Sequence, residues 1–276
     1  MGLTLPATGR ADTPPGYRAV GPPAPLGALA FAGDGTIYGT VDASTQPVSS
    51  ANAVALWRSS DHGATWSAVY RMPFGSHLDV AQVSPADPGT VYAYVAQDVN
   101  GVQQSVVRID VRANRAVPLP FRVLLGVDAA GTAYGRQDLQ AGPALIRCPV
   151  TADACQRVAG APAYAAHAVV DPLSRGVLAA ASTTANVTSL ELSTDGGATW
   201  TQGVRLDYGG VVFGGPSPRT LYSRTRDQLY VSHNAGLTWS DAHPAAVTAP
   251  IIAGAHPSAV FNSTFGSSAL VTADEG

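Results

Sequence analysis

Three arginines, Arg136, Arg224 and Arg226, carry the side chain best suited to gripping a carboxylate. A planar guanidinium offers paired N–H donors that match the two carboxylate oxygens. His77 and His167 add the group that titrates nearest neutral pH. Asp79, Asp98, Tyr164 and the adjacent pair Asp207-Tyr208 complete a polar set able to bind, or to exchange protons with, a small polar ligand. Each member also has a structural reading. The arginines serve equally as solvated loop charges, the histidines as satisfied surface residues, and Asp207-Tyr208-Gly209-Gly210 as an ordinary turn.

Composition narrows the function classes. The chain has 276 residues, 29 glycines, 21 prolines, 13% charged residues and a net charge of −3. Nucleic-acid binding needs a concentrated positive footprint, and no basic run is present. No apolar stretch reaches the ~18 residues of a membrane helix, and no signal peptide is visible. Every basic residue other than histidine is arginine, and alanine is abundant, a composition expected of a GC-rich bacterial source. Residues 1–15, rich in Pro, Gly and Thr, read as a flexible lead, and 16–276 as a single domain.

Cys148 and Cys155 flank a six-residue segment. A metal site needs further ligands nearby, and the sequence offers none. A disulfide across a hairpin turn is the expected pairing, and it implies an oxidising compartment and an exported protein. No metal and no cofactor are expected.

The elements that must position the polar set are announced by a repeat. Ser59-Ser60-Asp61-His62-Gly63-Ala64-Thr65-Trp66 returns as Ser193–Trp200, and again, with Asn for Asp, as Ser232–Trp239. The shared pattern is Ser-x-Asp/Asn-x-Gly-x-Thr-Trp. Its positions are Ser59, Asp61, Gly63 and Trp66; Ser193, Asp195, Gly197 and Trp200; Ser232, Asn234, Gly236 and Trp239. An Asx side chain accepts backbone N–H groups in a turn, glycine tolerates φ > 0, Thr65 is read as opening the next strand, and tryptophan supplies a large apolar face. A calcium loop would need more acidic ligands than the repeat contains. The repeat resembles the Asp-box, or BNR repeat, of sialidase-like and sortilin-like β-propellers. The resemblance implies an all-β propeller in which each box is a hairpin turn within one blade.

The first two clear boxes stand three periods of about 45 residues apart. Two degenerate units are expected between them, one ending in Val106–Val117 and one containing the cysteine pair. Each unit opens with an apolar strand, a turn and a Thr-Val-Tyr-like strand, as in Thr36-Ile37-Tyr38 and Thr90-Val91-Tyr92. Six openings predict six blades. Thr272–Gly276 resembles the first half of a box, and Gly16–Val20 the second half. The N-terminal segment is therefore expected to supply the outermost strand of the last blade and close the ring, which removes exposed sheet edges.

By analogy with propellers, the segments entering the innermost strands and the loops joining second to third strands line one face, where ligands bind. His77, Asp79, Arg122, Tyr164, His167, Asp207 and Tyr208 fall on the entering segments, and Asp98, Arg136, Asp138, Arg224, Arg226 and Asp227 on the loops. Sialidases of this family carry an Arg-Ile-Pro element and a Tyr–Glu nucleophile pair. This chain has Arg18-Ala19-Val20 near the first blade, and Glu191 and Glu275 are not placed as a nucleophile partner. The expected function is an exported, monomeric binding module that recognises a glycan or a protein on the channel face. The alternative is a glycosidase-like hydrolase, or another enzyme, using Asp, His and Arg of the same face. A third reading is a sensor or assembly factor outside the membrane, resembling propellers that help build photosynthetic complexes.

Overall fold

The computed structural model describes residues 26–41, 55–72, 76–97, 103–150, 154–184, 187–206, 211–213, 217–224, 229–243, 251–253, 259–262 and 269–272. The described residues form antiparallel sheets, each a meander of neighbours in chain order. The first sheet comprises β1 (Leu26–Phe31), β2 (Ile37–Val41), β3 (Ala55–Ser59) and β4 (Ser67–Arg71). The second comprises β5 (Ser76–Ser84), β6 (Asp87–Gln97), β7 (Gln103–Asp110) and β8 (Arg115–Leu119). The third holds β9 (Val123–Val127), β10 (Ala133–Leu139), β11 (Gly142–Cys148) and β12 (Gln156–Arg157). A 3-10 helix, Ala163–His167, leads into the fourth, β13 (Val169–Val170), β14 (Leu178–Thr184), β15 (Val187–Ser193) and β16 (Thr201–Leu206). The fifth holds β17 (Val211–Phe213), β18 (Leu221–Arg224), β19 (Leu229–Ser232) and β20 (Ser240–His243). The sixth has three described strands, β21 (Ile251–Ala253), β22 (Ala259–Asn262) and β23 (Ala269–Thr272).

First strands neighbour one another in series: β1 lies against β5, β5 against β9, β9 against β13, β13 against β17, and β17 against β21. The core lies between consecutive sheets rather than at one centre. Side chains alternate faces along a strand, so β6 serves two layers. Val91 and Ala93 pack against the first sheet with Tyr38 and Leu56, while Tyr92 packs against the third with Val127 and Ile146. Tyr134, Leu145 and Leu178 fill the third-to-fourth layer, and Leu190, Phe213 and Leu221 the fourth-to-fifth. The strands are thus apolar on both faces, which is why they read as near-continuous hydrophobic runs.

Hydrogen bonds tie each sheet to the next. The Tyr38 hydroxyl donates to the Pro88 carbonyl at 2.6 Å, and the Tyr92 hydroxyl to the Gly131 carbonyl at 3.4 Å. Asp128 accepts from the Gly176 amide at 2.9 Å, and Asp171 from the Arg219 amide at 2.8 Å. Burial pushes the Tyr92 hydroxyl up to about 12, so it remains a donor throughout the physiological range.

The three box turns have one geometry. The serine hydroxyl donates to the Asp or Asn side chain at 2.8–2.9 Å and accepts the glycine amide at 2.8 Å. The same Asp or Asn oxygen accepts the threonine amide at 2.8–2.9 Å. The indole N–H donates to the glycine carbonyl at 2.9 Å in the first two boxes and 3.1 Å in the third. Thr65 lies inside the turn rather than opening the next strand, which begins at Ser67. The reason is local: Asp61 takes both its amide and its hydroxyl. The second unit also closes later than Val106–Val117 suggests, because 111–114 form a turn and β8 runs Arg115–Leu119. In the third sheet a Cys148–Cys155 disulfide stands between β11 and β12, where other sheets have a box.

The box sets a pH dependence. The Thr65 hydroxyl, then the Thr65 amide and the Ser59 hydroxyl, hold the Asp61 carboxyl down to about 2. A carboxyl lowered by folding stabilises the fold above its unfolded value of about 3.9, and that contribution fades as pH falls toward the folded value. The carboxylate carbon resonance of Asp61 is expected to titrate with a midpoint near 2. A midpoint near the unfolded value would show that the turn bonds do not hold in solution.

Candidate functional site

The strand order gives each sheet two ends. In the third sheet Leu139 pairs with Gly142 at one end, and Ala133 pairs with Cys148 and Val127 at the other. The turns after first strands and the box turns share the second end, as Gly196 N–H donating to Gly176 O at 2.9 Å shows for the fourth sheet.

The expected ligand residues are only partly within view. Asp98, Asp207, Tyr208, Arg226 and Asp227 lie outside the described residues, as does the proposed closing segment of the chain. His77 and Arg224 lie on β5 and β18, but their side chains are outside the described set. Asp79 sits on β5 opposite Tyr94 of β6 and is half-buried. His167 ends the 3-10 helix and is exposed. Tyr164 packs edge-on against Trp200, with ring centroids 5.8 Å apart, and burial raises its hydroxyl pKa. Partly buried, it packs against the layer between the third and fourth sheets.

Arg136 and Asp138 come together at the box-distal end of the third sheet. Arg136 Nε lies 3.2 Å from Asp138 Oδ1. The approach is a charge contact without hydrogen-bond alignment, so the enclosed Nε–H lacks an acceptor among the described residues. The Arg136 carbonyl accepts the Arg122 amide at 2.9 Å, which fixes the backbone there.

At the opposite end a cleft of about 420 Å³ opens between the third and fourth sheets. Asp128 and Tyr134 lie in its base, Arg147 and Gln156 in one wall, and Arg175 and Thr194 in the other. Asp128 is buried and four times hydrogen-bonded. Its Oδ1 accepts the Ala130 and Thr132 amides at 3.0 and 2.8 Å, and its Oδ2 the Gly176 amide and the Tyr134 hydroxyl at 2.9 and 3.3 Å. Burial, and next the Asp128 charge, push the Tyr134 hydroxyl pKa up. Asp195, on the rim, accepts from Ser193 and from both the hydroxyl and amide of Thr199, and the Thr199 bonds lead in holding its carboxyl low.

No protein-family model matches this sequence, and no curated protein matches it. Likeness to solved structures decides the fold. The oligogalacturonate lyase of Vibrio parahaemolyticus superposes with a TM-score of 0.57 at 8% identity, over 86% of this chain and 73% of that one. YCF48 bound to D1 peptide gives 0.51 at 12% identity, over 85% and 73%. TolB from Acinetobacter baumannii gives 0.51 at 11% identity, over 80% of this chain, which spans 55% of TolB. These are β-propeller proteins.

This chain has a β-propeller fold. The cleft therefore sits between two adjacent blades, on the end of the propeller that carries the boxes. Sequence reasoning placed every ligand candidate at the other end and missed Asp128, Arg147 and Arg175. A signal for Asp128 was present. An aspartate recurs in the first turn of successive units as Asp34, Asp87, Asp128 and Asp171, and in three of the four a Thr-x-Tyr follows.

Proposed function

We propose that this protein is an exported binding module, a six-bladed propeller whose last blade is completed by the N-terminal segment. Its partner docks at the box-distal end, around Arg136 and His167. The observation that carries the site is the Arg136–Asp138 ion pair, 3.2 Å apart and partly exposed at that end. A partly exposed guanidinium can present its remaining donors to a partner's carboxylate or carbonyl. Binding is favoured over catalysis because the boxes are intact while the Arg-Ile-Pro element and the Tyr–Glu nucleophile pair of sialidases are missing from the sequence. A protein is the favoured partner, with a glycan as second occupant. One fold relative is solved with a peptide, and the polar set identified in the sequence suits peptide carbonyls and carboxylates. The Cys148–Cys155 disulfide supports export. The six sheets and their serial first strands support the blade count, and the box-like Gly16–Val20 supports closure.

The test is an array of short peptides and of glycans, sialylated and plant-type sugars included. Binding to at least one ligand is expected to fall about tenfold or more in Arg136→Ala, roughly the 1.4 kcal/mol of one charge-assisted hydrogen bond. His167→Ala is expected to weaken the same ligand. Hits that ignore Arg136→Ala would remove the site from this end. Turnover of a bound glycan would replace the binding module with the hydrolase reading.

A further inference from the structure

The cleft at the box end lies apart from the box-distal face. The fourth and fifth sheets repeat the same two bonds, one to an aspartate of the preceding sheet and one between two turns of their own. At the third-to-fourth junction Gly176 N–H donates to Asp128, and Gly196 N–H donates to Gly176 O at 2.9 Å. At the fourth-to-fifth junction Arg219 N–H donates to Asp171, and Ala235 N–H donates to Arg219 O at 2.8 Å. All four linking residues have positive φ: 67° and 75° for Gly176 and Gly196, 62° and 58° for Arg219 and Ala235. One junction thus carries two side chains in a conformation L-residues avoid, while the other carries none. The cleft lies where both are glycine. A Cβ on Gly196 would stand 3.1 Å from the Tyr134 hydroxyl and 3.5 Å from Arg147 Nη1, inside the opening.

The groups around this opening are unequal. Both carboxylates already hold donors, Asp128 three from its own sheet and one from the facing sheet, and Asp195 three from its own turn. The guanidiniums are not so committed. Arg147 reaches Gln156 at a long 3.4 Å, and Arg175, exposed on the facing wall, makes no ion pair among the described residues. The cleft therefore offers charged donors from two sides. Two guanidiniums facing one space favour a bidentate oxyanion. The neighbouring walls supply the Gln156 amide and the Thr194 hydroxyl, with Pro149 as the apolar member. Such a lining suits the hydroxyls of a sugar ring and gives no well for an apolar anchor. The volume lies within the ~300–1,000 Å³ of small-ligand sites.

We propose that this inter-blade cleft binds an acidic saccharide, its carboxylate held between Arg147 and Arg175 and its hydroxyls by Gln156 and Thr194. The site is independent of the box-distal docking face, so either can fail alone.

Titration calorimetry with glucuronate, and with glucose as the neutral match, tests it. Glucuronate is expected to bind with a Kd on the order of 1 mM and glucose not measurably. Arg147→Gln and Arg175→Gln are each expected to weaken glucuronate about tenfold with an unchanged unfolding midpoint, as befits partly or fully exposed side chains. Arg115→Gln, which removes the same charge from an exposed position on β8, is expected to leave binding unchanged. The assignment is overturned if glucuronate does not bind, if glucose binds as well, or if Arg115→Gln weakens binding as much as the cleft variants. It is equally overturned if a short unmodified alanine peptide, bearing a free C-terminal carboxylate, binds as tightly as the sugar.

Discussion

Replacing Asp128 with alanine is expected to cost about 3–5 kcal/mol, because it orphans several buried donors at once. Asp128 is 1% exposed and accepts from Ala130, Thr132, Tyr134 and Gly176. Three of these bonds shape the turn between β9 and β10, and the fourth fastens the third sheet to the fourth. Their loss therefore damages a blade and a junction together. For a chain of this size the unfolding midpoint should fall by roughly 6–20 °C, at ~2–4 °C per kcal/mol. Asp110→Ala is the comparison. It deletes one exposed turn bond, from the Ala113 amide at 2.9 Å, and should cost about 0.5–1 kcal/mol. Calorimetry giving both variants the same midpoint would mean that Asp128 does not hold the junction.

Gly236→Ala is the second large effect, expected at about 2–5 kcal/mol. Gly236 has φ +89°, and an added Cβ would run into the Leu190 side chain of the preceding sheet. Leu190 is fully buried in the layer between the fourth and fifth sheets, so it has little room to yield. About 1–2 kcal/mol comes from an L-residue in left-handed backbone and about 1–3 from overpacking. Gly142→Ala separates the two. Gly142 has φ +106°, yet a Cβ there meets nothing within 4 Å, so only the strain of about 1–2 kcal/mol remains. Equal urea midpoints for the two variants would show that the box glycine is needed for its φ alone. The same close approach recurs at Gly197, where a Cβ would lie 2.5 Å from Leu145 of the third sheet. The box is therefore an inter-sheet joint as well as a hairpin turn, and this is why its glycine stands where it does.

The inter-blade cleft and the Arg136 end differ in how legible they are in the sequence. Arg136 is legible as a residue type on an expected loop, and the structure adds its ion pair with Asp138. The cleft is not legible in that way, because it depends on side chains that are missing. Glycine at 176 and 196 reads in sequence as ordinary turn punctuation. Only beside Arg219 and Ala235, in the matching junction, does it become an opening.

The sequence by itself determined the box turns and much of the strand pattern. Ser59, Asp61, Gly63 and Trp66 interact within eight residues of chain, so side-chain chemistry and two positive-φ positions, His62 and Gly63, suffice to define the turn. The Thr-Val-Tyr-like strands were legible for the same reason, since both faces are buried and the apolar run is continuous. Only the tertiary structure decided how the sheets are fastened to one another. Asp128 finds Gly176, and Asp171 finds Arg219, each across 48 residues. Strand periodicity records which residues are buried, but not which turn of the next sheet an aspartate will meet. The guanidiniums of Arg147 and Arg175, separate in the chain, face one space because that fastening brings their turns together.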